Sequence, residues 1–195
     1  HTRVVYFADT WMNFYTPQVG VAAVSVLEAL GCEVIVPPTV CCGRPLISKG
    51  LLDEAARLAR ANVEVLRPFA ERGIPILCTE PSCVSALTDE LPQFVRTTAA
   101  REIAGLVQPL EQFVAARLRE QPELLKRDTG GTPAPRSAAP SLLFHGHCHQ
   151  KALTGTADVM HILKLCTLAA AEINSGCCGM AGSFGHEVEH YDVAR

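Results

Sequence analysis

Apolar and polar residues change period several times along this chain, and each change predicts an element. Val4-Val5-Tyr6-Phe7-Ala8 is a β-rich apolar run that stops at Asp9 and predicts a buried strand. Residues 17–30 carry apolar side chains at helical spacing, with Val21, Val24, Leu27 and Leu30 on one face and Gly31 as the stop. Glu33-Val34-Ile35-Val36 predicts a second strand, ended by Pro37-Pro38. Residues 51–72 read as a long amphipathic helix closed by Gly73, residues 74–78 as a third strand, and Pro81 opens a helix running to about Leu91.

The stretch 97–125 is helical in period and rich in charge, which predicts a surface hairpin or bridging helix. Gly130-Gly131, Pro133, Pro135 and Pro140 then break all regular pattern, so 127–140 reads as a linker. The grammar restarts with Leu142-Leu143-Phe144 as a strand, a polar loop, and a helix over about 156–171. Alternating strands and helices predict an α/β fold: two pseudo-repeated halves with mainly parallel sheets flanked by helices. The expected organisation is a first half over 1–126 with a helical extension, the linker, and a second half over 141–195 that is cut short at its end.

Composition narrows the function classes. The 195 residues are 48% hydrophobic and 19% charged with a formal net charge of −3, which offers no basic stripe for nucleic acid. The best apolar run, 19–30, is too short to span a bilayer and contains Ser25 and Glu28. With no initiator Met and no signal peptide, His1 is expected to mark a cut inside a longer polypeptide.

The nine cysteines change the picture most. Cys41-Cys42-Gly43 recurs as Cys177-Cys178-Gly179, and adjacent cysteines are awkward to bridge as disulfides. A reducing cytoplasm with metal-bound thiolates fits better. The ends of the opening strands, Asp9 and Cys148, keep nearly the same offset as the two triplets, which supports a duplication. Ligands in open α/β sheets gather outside the carboxyl ends of the strands. Asp9, the first triplet, Glu80 to Cys83 and His147-Cys148-His149 all follow predicted strands.

Thiolate sulfur suits iron–sulfur clusters, zinc and copper(I), yet neither ferredoxin nor zinc-finger spacing is present. The candidate ligands are Cys41, Cys42, Cys83, Cys148, Cys177 and Cys178. Asp9, Glu80, Cys78, His147 and His149 are weaker candidates. Cys83 sits at a predicted helix start, where backbone N–H groups favour a thiolate. Cys32 and Cys166 read as core residues. Asp9 and Glu80 can ligate or cap a helix, and His147 and His149 can ligate, move protons or bond the backbone. Arg44 and Lys151 can offset thiolate charge or simply be solvated.

The motifs Cys41-Cys42-Gly43-Arg44-Pro45-Leu46-Ile47, Glu80-Pro81-Ser82-Cys83, His145-Gly146-His147-Cys148-His149-Gln150-Lys151-Ala152-Leu153 and Cys177-Cys178-Gly179-Met180-Ala181-Gly182-Ser183-Phe184-Gly185 resemble the cysteine-rich CCG domain. That family includes the cysteine-rich subunit of heterodisulfide reductase and the iron–sulfur subunit of glycolate oxidase. The resemblance is nearest to the C-terminal part of fused FAD-linked oxidases. Asp9 and Glu80 stand where fully cysteinyl members carry sulfur.

The resemblance implies an iron–sulfur electron-transfer domain of an FAD-linked 2-hydroxy-acid dehydrogenase, with a non-cubane four-iron cluster in cysteinyl members. It also implies FAD in a separate upstream domain, a quinone or other acceptor, and a cytoplasmic place peripheral to the inner membrane. Two alternatives stay open: a heterodisulfide-reductase-like catalytic site, and a non-redox zinc or assembly module.

Overall fold

The computed structural model describes residues 2–126, 141–166, 169–176 and 184–194. The linker expected over 127–140 lies outside the described residues. The first half is built on a parallel sheet of strands β1 (Thr2–Tyr6), β2 (Cys32–Ile35), β3 (Ile76–Cys78) and β4 (Val107–Pro109), in the order β2-β1-β3-β4. β1 lies inside the sheet: Val4 pairs with Val34 of β2, and Val5 and Tyr6 pair with Ile76 and Leu77 of β3. The fold is α/β, as the alternating pattern predicts.

Side-chain alternation assigns each strand residue to a face. Val5, Ile76 and Cys78 join Val63, Leu66, Leu87 and Ile103 in one core. Val4 and Leu77 face the other way, toward Leu27, Leu30, Phe113, Val114 and Leu118. Helices α4 (Leu52–Ala70) and α7 (Thr98–Leu106) therefore cover one face, and α2 (Pro17–Ala29) and α8 (Leu110–Glu120) the other. Each fully buried aliphatic side chain here contributes about 1.5–3 kcal/mol.

Several expectations change. Helix α2 buries Leu27 of the expected face, with Leu30 just beyond it and Val24 partly covered, but Gly20 and Ala23 complete the face and Val21 is exposed. Six residues, Thr10–Tyr15, form a helix α1 that the apolar pattern does not reveal; Asp9 caps it. The stretch read as a surface hairpin contributes β4 to the sheet and buries Ile103, Phe113, Val114 and Leu118. Backbone pairing of Val107 with Ile76 overrides the helical period there.

After Cys83 the helix starting at Pro81 is not continuous. Pro81–Ser85 (α5) runs into a π-helical turn, Ala86–Glu90, and then Leu91–Phe94 (α6). Such turns frequently mark functional sites.

The second half places a parallel pair, β5 (Leu142–Phe144) and β6 (Ala170–Glu172), beside α9 (Cys148–Leu153) and α10 (Ala157–Cys166). The predicted helix thus ends by Cys166, Ala170–Glu172 turns into strand, and Cys166 is exposed instead of core. Ile162 and Leu165 of α10 pack on the α8 side of the first half. Arg119 pairs with Asp158 at 2.6 Å, and Gln150 Nε2 donates to Glu111 Oε1 at 2.5 Å. No helix among the described residues is long and apolar enough to cross a membrane.

Gly146 precedes α9 in a gap with no room for a side chain. A Cβ there would stand 2.7 Å from the Thr156 methyl and 2.8 Å from Lys151 Cε. Thr156 is held by its hydroxyl bond to Glu172 at 2.6 Å, so it yields little. Gly146→Ala is expected to lower stability by about 1–3 kcal/mol in urea unfolding; an unchanged midpoint would contradict this packing.

Candidate metal centre

Parallel pairing puts the carboxyl ends of β1, β2 and β3 on one rim, and the chain leaves each strand with chemistry-bearing residues. β1 leads to Asp9, β2 to the loop carrying Cys41 and Cys42, and β3 to Cys78, Thr79, Glu80 and Cys83. Cys42 and Cys83 share a thiol–thiol hydrogen bond with 3.0 Å between sulfurs, although 41 positions separate them. Cys41 hydrogen-bonds to Cys42 and lies within reach of the Thr10 hydroxyl. Three of the predicted ligands thus form one sulfur group.

The loop before this group is fixed by Asn62, a fully buried polar residue of α4. Its Oδ1 accepts the Val40 N–H at 3.0 Å, and its Nδ2 donates to the Cys41 carbonyl at 3.1 Å. Gly43 then adopts φ 90°, the left-handed turn that starts the short helix α3 (Arg44–Ser48) immediately after the cysteines. Arg44 is largely covered, not solvated. It donates to Ser85 Oγ at 2.7 Å and pairs with Glu90 Oε1 at 2.7 Å, tying α3 to the π-helical turn.

Asp9 and Glu80 both act as caps. Asp9 is buried; its Oδ1 accepts the Met12 N–H at 2.8 Å and its Oδ2 accepts the Thr79 hydroxyl at 3.2 Å. Tyr6 OH joins the same chain through Thr79 at 3.0 Å. Glu80 caps α5, accepting the Ser82 N–H at 3.0 Å and the Ser82 hydroxyl. Cys78 is wholly buried in the core at the end of β3. Cys32 is core, as expected.

In the second half His147 caps α9, and its Nδ1 accepts the His149 N–H at 3.2 Å. Its Nε2 stands 3.7 Å from Glu80 Oε1, so the second half meets the first beside Cys83. Cys148 is exposed at the first position of α9. Lys151 donates to the Ser175 carbonyl at 2.8 Å. Cys177 and Cys178 lie outside the described residues.

The electrostatics of the rim oppose negative charge. Burial pushes the Asp9 carboxyl above the ordinary carboxylate range, and burial does the same to Glu111. The bond to Cys42, then burial, raises the Cys41 thiol. At Cys42 the bond from Cys41 lowers the pKa, but the bond to Cys83 and burial outweigh it and the net shift is upward. Cys83 is likewise lowered by its bond to Cys42 yet raised overall by burial and by Cys78, Asp9 and Glu80. Burial, then Arg44 and His147, lowers His149.

Without a cation these thiols keep their protons; a bound metal ion would remove them. A metal–thiolate group therefore fits the donor set of Cys41, Cys42 and Cys83. Thiolates on one tetrahedral ion sit roughly 3.8 Å apart for bonds of about 2.3 Å, so Cys42 and Cys83, now 3.0 Å apart, would separate slightly.

The thiol shifts set a pH dependence. Native thiols that bind protons more tightly than unfolded ones contribute stability fully below the ordinary thiol pKa of about 8.5, and lose it as the pH rises beyond. Between about pH 8 and about pH 10, the reduced, metal-free chain is expected to lose unfolding free energy in urea titrations, and Cys42→Ser to flatten the decline. Parallel declines in both proteins would contradict the shifts.

Comparison with known proteins agrees with this geometry. Residues 4–88, from β1 to beyond Cys83, match the cysteine-rich domain family CCG. The chain carries this match over somewhat less than half of its length, in its first part. It is 30% identical to a subunit of the anaerobic glycerol-3-phosphate dehydrogenase of Escherichia coli (strain K12), over 99% of this chain and 47% of that protein. It is 27% identical to D-2-hydroxyglutarate dehydrogenase of the same organism, over 97% of this chain and 17% of that protein. Lactate utilization protein A of Geobacillus thermodenitrificans (strain NG80-2) is 27% identical over 93% of this chain and 74% of its own length. The chain thus spans about half the length or less of the first two. No solved structure matches the chain.

Proposed function

We propose that the chain is a metal–thiolate electron-transfer domain of a flavin-dependent dehydrogenase, with Cys41, Cys42 and Cys83 as the ligands of its first centre. The single observation that carries this reading is the convergence of these three sulfurs at the rim of a parallel sheet, amid carboxylates that would repel bare thiolates. Cys148, Cys177 and Cys178 are the sulfur candidates that remain for a second centre.

The relatives support the reaction class. Their names carry glycerol-3-phosphate, D-2-hydroxyglutarate and lactate, each a small anion with a secondary alcohol. Oxidising such an alcohol releases two electrons, and the proposed route takes them from a reduced flavin on a neighbouring domain or subunit toward a quinone or other acceptor. An iron–sulfur cluster held by the triad would supply one-electron storage.

The chain's own residues would then hold and shield that group. Asn62 and Gly43 set the loop that presents Cys41 and Cys42. The Arg44–Glu90–Ser85 contacts fix the turn behind Cys83. Asp9 keeps α1 in place by accepting the Met12 N–H, and burial pushes its carboxyl above the ordinary carboxylate range.

Anaerobic purification tests this reading. Iron and acid-labile sulfide should accompany broad visible absorbance that dithionite bleaches, and Cys83→Ser should weaken metal retention at least about tenfold. Zinc alone, with no bleaching, would contradict the electron-transfer role.

A further inference from the structure

Helix α1 buries only Met12 of its six residues. Trp11, Phe14 and Tyr15 stand at i, i+3 and i+4, a spacing that puts them on one face. All three are exposed, at 47%, 79% and 68%. Trp11 and Tyr15 stack with ring centroids 4.4 Å apart. Beside α1 lies an open cavity of about 360 Å³, lined by Tyr6, Met12, Asn13, Val21, Val24 and Val36. Single exposed apolar residues need no explanation, but three aromatic rings next to an apolar cavity make a surface of the kind that partners bind.

The face is also held in place. Asp9 caps α1, and Met12 fills the space over Gly20 of α2, where a Cβ would stand 2.8 Å from Met12 Cε. A surface that is already formed costs little further ordering on binding.

Place and charge indicate what covers it. Thr10 opens α1 and its hydroxyl hydrogen-bonds to the Cys41 sulfur, so the aromatic face begins at the residue after one that touches the triad. Electron transfer slows steeply with distance, and a donor serving the triad gains most by seating against this helix. Residues 10–27 contain no charged side chain, and no Lys or Arg stands between Arg3 and Arg44. An anionic lipid surface is drawn to basic residues and finds none here. A charge-free patch rich in aromatic rings instead matches the core of a protein–protein interface. In D-2-hydroxyglutarate dehydrogenase the region similar to this chain is 17% of the polypeptide, so there it has a much larger body on the same chain to dock against.

We propose that the Trp11, Phe14 and Tyr15 face of α1, with the adjoining cavity, is the docking surface for the flavin-binding domain that feeds the triad. The cavity would receive an apolar side chain of that domain. The identity of this occupant rests on the electron-transfer reading, whereas the covering of the face can be measured without it.

The full-length protein, purified with its native subunits, is the sample. In hydroxyl-radical footprinting, Tyr15 is expected to be oxidised at least about tenfold more slowly in the native protein than in the same protein unfolded in urea, because a docked interface excludes water. Phe14→Ser with Tyr15→Ser should slow electron transfer from substrate-reduced flavin to the metal centre at least about tenfold, with flavin reduction by substrate unchanged. Tyr15 oxidised as fast in the native as in the unfolded protein would overturn the proposal, and so would full-rate transfer in the double variant. Protection that is lost when self-association is diluted away assigns the face to a second copy of this chain, and protection that needs added phospholipid vesicles assigns it to a membrane; either result overturns the proposal. Protection in a flavin-loaded protein without redox-active metal upholds the docking surface and contradicts only the electron-transfer role.

Discussion

Parallel pairing of β1 with β2 on one side and β3 on the other is the constraint on which the rest of this structure depends. Because all three strands run the same way, the loops that leave them must emerge on a single rim. Cys41 and Cys42 leave β2, Cys83 follows β3, and only this pairing brings their sulfurs together across the sheet. The core enforces the pairing from both faces: Val4 and Val5 point into opposite layers, and a slip of one residue would exchange them.

Charge gives that rim its chemistry. Buried thiols and carboxylates crowd one another, and none gains by ionising alone. The fold stabilises the crowding with caps and ties: Asp9 on α1, Glu80 on α5, Asn62 on the triplet loop, and Arg44 on the turn behind Cys83. A cation would turn this repulsion into ligation, which couples metal binding to proton release and to stability. The second half adds its histidines at the Glu80 edge, so both halves address the same rim from different directions.

Much of this was legible in the sequence because it is local. The run at Val4, the long helix closed by Gly73 and the triplet after Pro37-Pro38 each announce themselves within a few residues. The sulfur group follows once strand ends are placed, since α/β topology decides where their loops go. Elements set by distant partners were not legible. β4 is three residues long, ends in Pro109, and exists because Val107 meets Ile76 across the sheet. Helix α1 is too short for a periodic signal; its sign is Asp9, which the residue pattern alone leaves divided between cap and ligand. Asn62 reads as an ordinary polar residue within an amphipathic helix, and only the fold reveals that it holds the loop 21 positions away. Cys166 sits in an apolar helical pattern, yet α10 is only partly covered and leaves it exposed.

Anomalous diffraction from anaerobically grown crystals tests the central claim most directly. The account predicts metal peaks of one centre that place each of the Cys41, Cys42 and Cys83 sulfurs within bonding distance of a metal atom. Peaks that together leave any of these three unbound, or three metal-free thiols in a fully loaded protein, would contradict it.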